Sequence, residues 1–198
     1  FVQSALSGVD GVSGLYGAQS VAVSPDGRHV YVASTWDDSV VAFSRDVATG
    51  EVTFVERYRD GFDGVEGLDM AISAVVSNDG AHVYAAGDEE DAIAVFSRDA
   101  ATGVLTFVEV VRNGAEVDNS LDGPYSIAIS PDDSHLYVAG QVSDTLVVFA
   151  RDPASGTLSF VEAEWDNAGG VDGLNSASGL TVSPDGRHVY VSSHLDDG

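Results

Sequence analysis

Short apolar runs alternate with turn-forming residues along the whole chain. In the first complete stretch the runs lie at 20–23, 30–33, 39–43 and 52–56, and each is four or five residues long. Pro25 and Gly27 stand between the first two runs, where Pro presets one backbone angle of a tight turn and Gly relieves strain at its end. Runs of this length separated by Pro, Gly and Asp are typical of β-strands.

The same pattern returns every 53 residues. The turn at 24–27 recurs at 77–80, 130–133 and 183–186, and one large apolar side chain recurs in each strand. These positions, all predicted to be core, are Leu15, Leu68, Leu121 and Leu174, then Tyr31, Tyr84, Tyr137 and Tyr190, then Phe43, Phe96 and Phe149, and finally Phe1, Phe54, Phe107 and Phe160. Four antiparallel strands in about 50 residues are what one β-propeller blade requires.

The sequence therefore predicts an all-β fold, a β-propeller of four-stranded antiparallel blades that forms a partial ring of about 3.7 blades. It is one domain, 1–198. The predicted blades are 15–60, 68–113 and 121–166, with a partial blade at 174–198 and an outer-strand fragment at 1–6. We expect the remaining blades of a longer chain, or a second copy, to complete the open edge.

The net charge of the chain limits the classes of molecule that it can bind. Eight arginines and 32 acidic residues give a formal net charge of −24, which repels nucleic acid and anionic membranes. The apolar runs are much shorter than the roughly 20 residues of a membrane-spanning helix, so no membrane insertion is expected. Without cysteine, disulfides and thiolate chemistry are excluded.

Acidic loops are predicted to gather on one face, because the second-to-third and fourth-to-first connections of a blade lie on the same side of a propeller. Asp88 and Asp91 lie in one such loop. Asp118, Ser120 and Asp122 have the spacing that opens a calcium loop, although Ile129 stands where a bidentate Glu is expected. These five polar residues are the candidate metal ligands, and a solvated acidic surface is the alternative.

One loop position differs between repeats, whereas most polar positions do not. His194 stands where the other repeats have Thr35, Asp88 and Gln141. Variation at one position of a regular scaffold can carry function, so His194, Gln141 and the neighbouring Trp36 are candidate ligand-binding residues. Polar groups that recur in every blade are predicted to be structural, namely the histidines at 29, 82, 135 and 188, the Arg-Asp pairs at 45–46, 98–99 and 151–152, and the aspartates at 38, 91, 144 and 197.

Residues 24–32 and 183–191, which read Ser-Pro-Asp-Gly-Arg-His-Val-Tyr-Val, and residues 95–109 resemble the lactonase-type β-propeller family. That family includes propeller 6-phosphogluconolactonases and many extracellular repeat proteins. The resemblance implies a parent ring of about seven blades. In catalytic members it implies an active face near the central channel. The matching residues are turn and core residues, so no catalytic residue is carried over.

Two functions follow from these observations. The near-identical blades, and the lack of an unmatched set of acid, base and nucleophile, predict a non-catalytic module that is extracellular or on a cell surface. It would present its acidic loop face to a ligand, a partner or a cation. No cofactor is required, and calcium is the expected cation. The alternative is a lactonase-like hydrolase whose active face needs further blades.

Overall fold

The computed structural model describes residues 2–196, which form three four-stranded antiparallel sheets and one two-stranded sheet. Each sheet is one blade, with its strands in sequence order. The strands are β1 (Ala18–Val23), β2 (His29–Ser34), β3 (Ser39–Arg45) and β4 (Val52–Arg59) in blade 1, β5 (Ala71–Val76), β6 (His82–Gly87), β7 (Ala92–Arg98) and β8 (Leu105–Arg112) in blade 2, β9 (Pro124–Ile129), β10 (His135–Gly140), β11 (Thr145–Arg151) and β12 (Leu158–Trp165) in blade 3, and β13 (Ala177–Val182) and β14 (Val189–Ser193) in blade 4. The all-β propeller prediction is confirmed. Within this range no helix is long and apolar enough to cross a membrane.

The repeated turn holds the first two strands of each blade in register. In blade 1 the Ser24 hydroxyl donates to Asp26 (2.5 Å) and accepts the His29 amide (3.0 Å). Gly27 ends the turn with φ of +69°, a conformation that side chains with a Cβ rarely adopt. The other blades repeat the serine–aspartate bond at Ser77, Ser130 and Ser183.

The core lies between the blades, whose first strands β1, β5, β9 and β13 lie side by side. Val40, Leu68 and Phe96 are buried between blades 1 and 2, and Ile93 and Phe149 are buried between blades 2 and 3. The prediction that every repeated large side chain is core needs correction. Tyr190 is 59% exposed, since β14 is an edge strand, whereas Leu15, Tyr137 and the outer-strand phenylalanines at 54, 107 and 160 are half-buried. Phe1 lies outside the described residues.

Two buried arginines join neighbouring blades at the end opposite the second-to-third loops. Arg98 of blade 2 donates to Asp26 (3.0 Å), to His29 Nδ1 (2.7 Å) and to the Tyr31 hydroxyl (3.0 Å) of blade 1. Arg151 repeats these bonds to Asp79, His82 and Tyr84. We call each set an arginine clasp. Because the guanidinium donates to Nδ1, His29 is neutral here, and burial and the Arg98 charge lower its pKa.

The structure assigns no strand to residues 2–6, the predicted outer-strand fragment. The segment nevertheless lies where a preceding outer strand would lie. The Gln3 side chain bonds the amide and the carbonyl of Val52 (2.8 and 3.0 Å), just as Glu109 of β8 accepts the Leu158 amide of the next blade (2.8 Å). A short 3-10 turn, Ala115–Val117, precedes β9; the sequence pattern did not indicate it.

Candidate functional site

The second-to-third loops of each blade (35–38, 88–91 and 141–144) meet the residues that lead into the next first strand (68–70, 121–123 and 174–176), and we call this region the channel rim. The repeated aspartates of the second-to-third loops accept hydrogen bonds from backbone amides of the next blade across the rim. Asp38 accepts the Met70 amide (3.2 Å) and Asp91 accepts the Gly123 amide (2.9 Å). In blade 3, Asp144 accepts the Ser176 amide (2.7 Å). All three aspartates have φ near +50°, so they close their own turn and fasten the next blade. Asp197 lies outside the described residues.

The position that differs between repeats is the first residue of each second-to-third loop. Thr35 is buried and its hydroxyl donates to the Ala71 carbonyl (3.2 Å). Gln141 is half-buried and its backbone amide donates to the Gly123 carbonyl (2.8 Å). His194 is exposed, with its backbone amide bonded to the Ser176 carbonyl (3.1 Å). Asp88 differs from all three, because its Oδ1 is buried without a hydrogen-bond partner among the described residues.

Asp88 belongs to a cluster of carboxyl groups from two blades. Burial raises its pKa above the usual 3.8, and the charges of Glu89, Asp91 and Asp122 raise it further. Burial and then the charge of the neighbouring Asp91 raise the pKa of Asp122. A half-buried carboxyl group whose pKa is raised by burial and by acidic neighbours can accept and release a proton.

A second group of carboxylates lies next along the rim, between blades 1 and 2. Burial and the neighbouring Glu90 raise the pKa of Asp60, while burial and then the charge of Asp38 raise that of Asp69. Arg112 forms ion pairs with Glu90 and, at 3.0 Å, with Glu66. Although burial opposes it, the hydrogen bond from Arg112 lowers the pKa of Glu90. The charge of Arg112 is therefore already balanced by two carboxylates.

Asp69 is the rim residue that the sequence analysis missed. It follows the repeated leucine, at the position that holds Tyr16, Asp122 and Asn175 in the other repeats. That position also differs between blades, and it faces the loop of the preceding blade. Comparison of the residues after each repeated leucine would have found it.

Trp36, a predicted ligand-binding residue, lies on the rim of blade 1. It is 64% exposed and packs against Tyr16, with the ring centroids 4.8 Å apart and the ring planes tilted by 51°. Gly17 permits this approach, because a Cβ at that position would lie 3.0 Å from the Trp36 amide nitrogen. An exposed aromatic pair held this way offers an apolar platform to a ligand. Ligand binding by Trp36, Gln141 and His194 stays a prediction.

The predicted metal ligands fall into two groups. Asp88, Asp91 and Asp122 lie near one another at the rim, where the charges of Asp91 and Asp122 act on Asp88, but their ligand oxygens are not all within 4.8 Å of one another. Asp118 and Ser120 do not join them as an open ligand set, since Asp118 is exposed at the end of the 3-10 turn and the buried Ser120 hydroxyl donates to the Val117 carbonyl (2.5 Å). Among the described residues, a separate carboxylate group within 4.8 Å contains Asp166, Asp172 and Asp196. Calcium binding stays a prediction.

Comparison with known proteins gives the family. The family model described as a lactonase, 7-bladed β-propeller, matches residues 2–64 and 63–171. A 6-phosphogluconolactonase of Bacillus subtilis is 29% identical over 150 residues, which are 73% of this chain and 40% of that protein.

Solved structures share the fold. The periplasmic gluconolactonase of Pseudomonas aeruginosa has a TM-score of 0.65 and 24% identity over 87% of this chain and 42% of its own. A Bacteroides uniformis protein named as a candidate 6-phosphogluconolactonase has a TM-score of 0.70 and 19% identity over 89% of this chain and 47% of its own. The chain thus spans less than half the length of these relatives.

These comparisons correct the predicted function. The prediction of a non-catalytic module is wrong, because the named relatives of this repeat are lactone hydrolases. The repeated residues suggested a module because they build the blades, and they carry no information on activity. The extracellular or cell-surface location stays a prediction. The resemblance noted in the repeat is confirmed, and the chain belongs to the lactonase family of seven-bladed β-propellers.

Proposed function

We propose that this chain takes part in lactone hydrolysis, with the carboxyl cluster of Asp88, Asp91 and Asp122 at the reacting centre. The observation that carries the activity is the match of the lactonase family model to residues 2–64 and 63–171. The observation that locates it is Asp88, a blade-specific carboxyl group whose Oδ1 is buried with no hydrogen-bond partner among the described residues.

A carboxylate placed in this way can serve as a general base. Asp88 removes a proton from a water molecule, and the water oxygen bonds to the carbonyl carbon of the lactone. The bond between that carbon and the ring oxygen then breaks, and the ring oxygen takes the proton from the Asp88 carboxyl group. One water is consumed and one hydroxy acid is released. The raised pKa of Asp88 suits both steps, since the group must accept and then return a proton.

The neighbouring carboxyl groups support this role. Asp91 is fixed by the Gly123 amide (2.9 Å). The charges of Asp91 and Asp122 raise the pKa of Asp88 and so favour its taking up the proton of the attacking water. Since each member lies on a turn at the end of a strand, the cluster is held by the scaffold of two blades.

The test is a substitution at Asp88 with a matched control. Asp88→Asn removes the base and keeps the shape, so we expect the rate of acid release from glucono-δ-lactone to fall about 100-fold or more. Asp63→Asn removes the same charge from an exposed loop residue with φ of +52°, which Asn tolerates, and should keep the wild-type rate. Equal rates for the wild type and Asp88→Asn would overturn the assignment of Asp88.

A further inference from the structure

Two histidines are buried inside the arginine clasps, at the junctions between blades. His29 and His82 are each 3% exposed. Each ring lies against a glycine of the next blade. A Cβ added to Gly103 would lie 2.2 Å from Cδ2 of His29, and one added to Gly156 would lie 2.2 Å from Cδ2 of His82. The two imidazoles are therefore part of the contact that holds neighbouring blades together.

The clasp fixes the protonation state of each ring. Arg98 donates to Nδ1 of His29 at 2.7 Å, and Arg151 donates to Nδ1 of His82 at 2.8 Å. Because a guanidinium group has only donors, Nδ1 must present its lone pair. A proton on Nδ1 would remove this acceptor and place a second positive charge beside the guanidinium group. The ring can therefore gain a proton only if the clasp opens.

The other charged groups around the first clasp do not remove this conflict. The titratable and charged groups near His29 are Asp26, Arg28 and Tyr31 of blade 1 and Arg98 and Asp99 of blade 2. The two carboxylates favour a charged ring, but burial and the two arginines outweigh them and lower the pKa of His29. The neutral ring is therefore the stable form in the folded chain.

The second clasp repeats these surroundings. The groups near His82 are Asp79 and Tyr84 of blade 2 and Arg151 and Asp152 of blade 3. Burial and then the charge of Arg151 lower the pKa of His82, although both carboxylates oppose the change. Ala81 stands where blade 1 has Arg28, so one guanidinium group is sufficient to keep the ring neutral.

We propose that the two clasps are acid-sensitive joints, in which protonation of His29 and His82 releases the guanidinium groups and loosens the junctions between blades 1, 2 and 3. In the unfolded chain the same rings take up protons below the ordinary pKa of about 6.5. The stability that the neutral rings supply is therefore complete above about pH 6.5 and is lost as the pH falls below it. This property does not depend on the proposed function.

The test compares the pH dependence of stability in the wild type and in the double variant His29→Asn, His82→Asn. The Asn side-chain oxygen can accept the arginine bond in place of Nδ1 and does not titrate. Urea unfolding is followed by circular dichroism at about pH 8, 6 and 5. Each buried neutral histidine raises the unfolding equilibrium constant by up to about tenfold per pH unit below 6.5. Between about pH 6 and pH 5 we expect the wild-type constant to rise at least about tenfold more than that of the double variant.

His135→Asn is the matched control. His135 occupies the same position in blade 3, but it is half-buried and its Nδ1 lies 2.7 Å from the Ser134 hydroxyl. This variant should keep the wild-type pH dependence. Equal pH dependence of the wild type and the double variant would overturn the proposal, and so would loss of the pH dependence in His135→Asn.

The histidine ring signals give a second readout, which needs no substitution in the clasps. The chain has five histidines, and proton NMR reports the charge of each ring through its chemical shift. We expect two rings to remain neutral at about pH 5.5, one unit below the ordinary pKa, and His135→Asn should leave both of these signals in place. Proton uptake by all five rings above that pH would overturn the proposal, whether or not the double variant folds.

Discussion

At the scale of the residue, the first position of the second-to-third loop carries a structural side chain in one blade and a candidate catalytic one in another. The residue after the second strand is Thr35, Asp88, Gln141 or His194, and in each blade its backbone amide donates to the equivalent carbonyl, that of Gly17, Met70, Gly123 or Ser176. Thr35 uses its hydroxyl to bind the Ala71 carbonyl of the next blade. Asp88 leaves a carboxylate oxygen without such a bond among the described residues. A single substitution on a fixed scaffold thus turns a structural contact into a group that is available for proton transfer.

Trp36 gives a residue-scale prediction. It is one of two tryptophans and is 64% exposed at the rim, whereas Trp165 is half-buried on β12. If the Trp36–Tyr16 platform binds the lactone, mixing with glucono-δ-lactone should change tryptophan fluorescence within seconds. We expect Trp36→Phe to abolish the change and Trp165→Phe to keep it. The opposite pattern would remove Trp36 from the binding site.

At the scale of the element, neighbouring blades are fastened at both ends by groups that repeat every 53 residues. Asp38, Asp91 and Asp144 bind the next blade at the rim. The arginine clasps bind at the opposite end, where the side chains of Arg98 and Arg151 are 1% and 0% exposed. Apolar side chains fill the space between. The rim carboxylates therefore lie on blades whose positions relative to one another are fixed at both ends.

The arginine clasp has a natural control within the chain. Arg98→Met leaves the buried His29 and Tyr31 groups and the exposed Asp26 carboxylate without their donor, so we expect the free energy of unfolding to fall by about 2 to 3 kcal/mol. Arg45 occupies the same position in blade 1, but among the described residues its side chain bonds only the Gly27 carbonyl (2.9 Å). Arg45→Met should cost about 1 kcal/mol or less.

Urea unfolding followed by circular dichroism measures both changes. Equal destabilisation by the two substitutions would show that the arginines act within their own blades, and that the clasp does not hold blade 2 to blade 1.

At the scale of the whole molecule, the repeat allowed the sequence to predict the blades but not the contacts between them. Strand alternation and the Ser-Pro-Asp-Gly turn are local signals, so the boundaries near 29, 39 and 52 could be read directly. The hydrogen bond from Gly123 to Asp91 and the ion pair of Arg98 with Asp26 depend on how one blade packs against the next. Those residues are far apart in sequence, and no local pattern links them.

The same limit explains the error about function. Recurring residues dominate the sequence, and they are structural. The residues that differ at the proposed site, Asp88 and Asp122, come together with Asp91 only where the junction of blades 2 and 3 brings their loops to the rim. Because Asp residues also fill the turns of every blade, the carboxyl groups of the proposed site could not be distinguished by residue type. Their environment distinguishes them.

The most direct test of lactone hydrolysis at this rim is the pH dependence of acid release from glucono-δ-lactone between about pH 3 and pH 7. The base must be deprotonated to work, and burial with its acidic neighbours raises the pKa of Asp88 above 3.8. Catalysis should therefore be weak at the acidic limit and rise with pH through that pKa, and Asp88→Asn should lose this rise. A rate equal to that of buffer alone across the whole range would contradict the account.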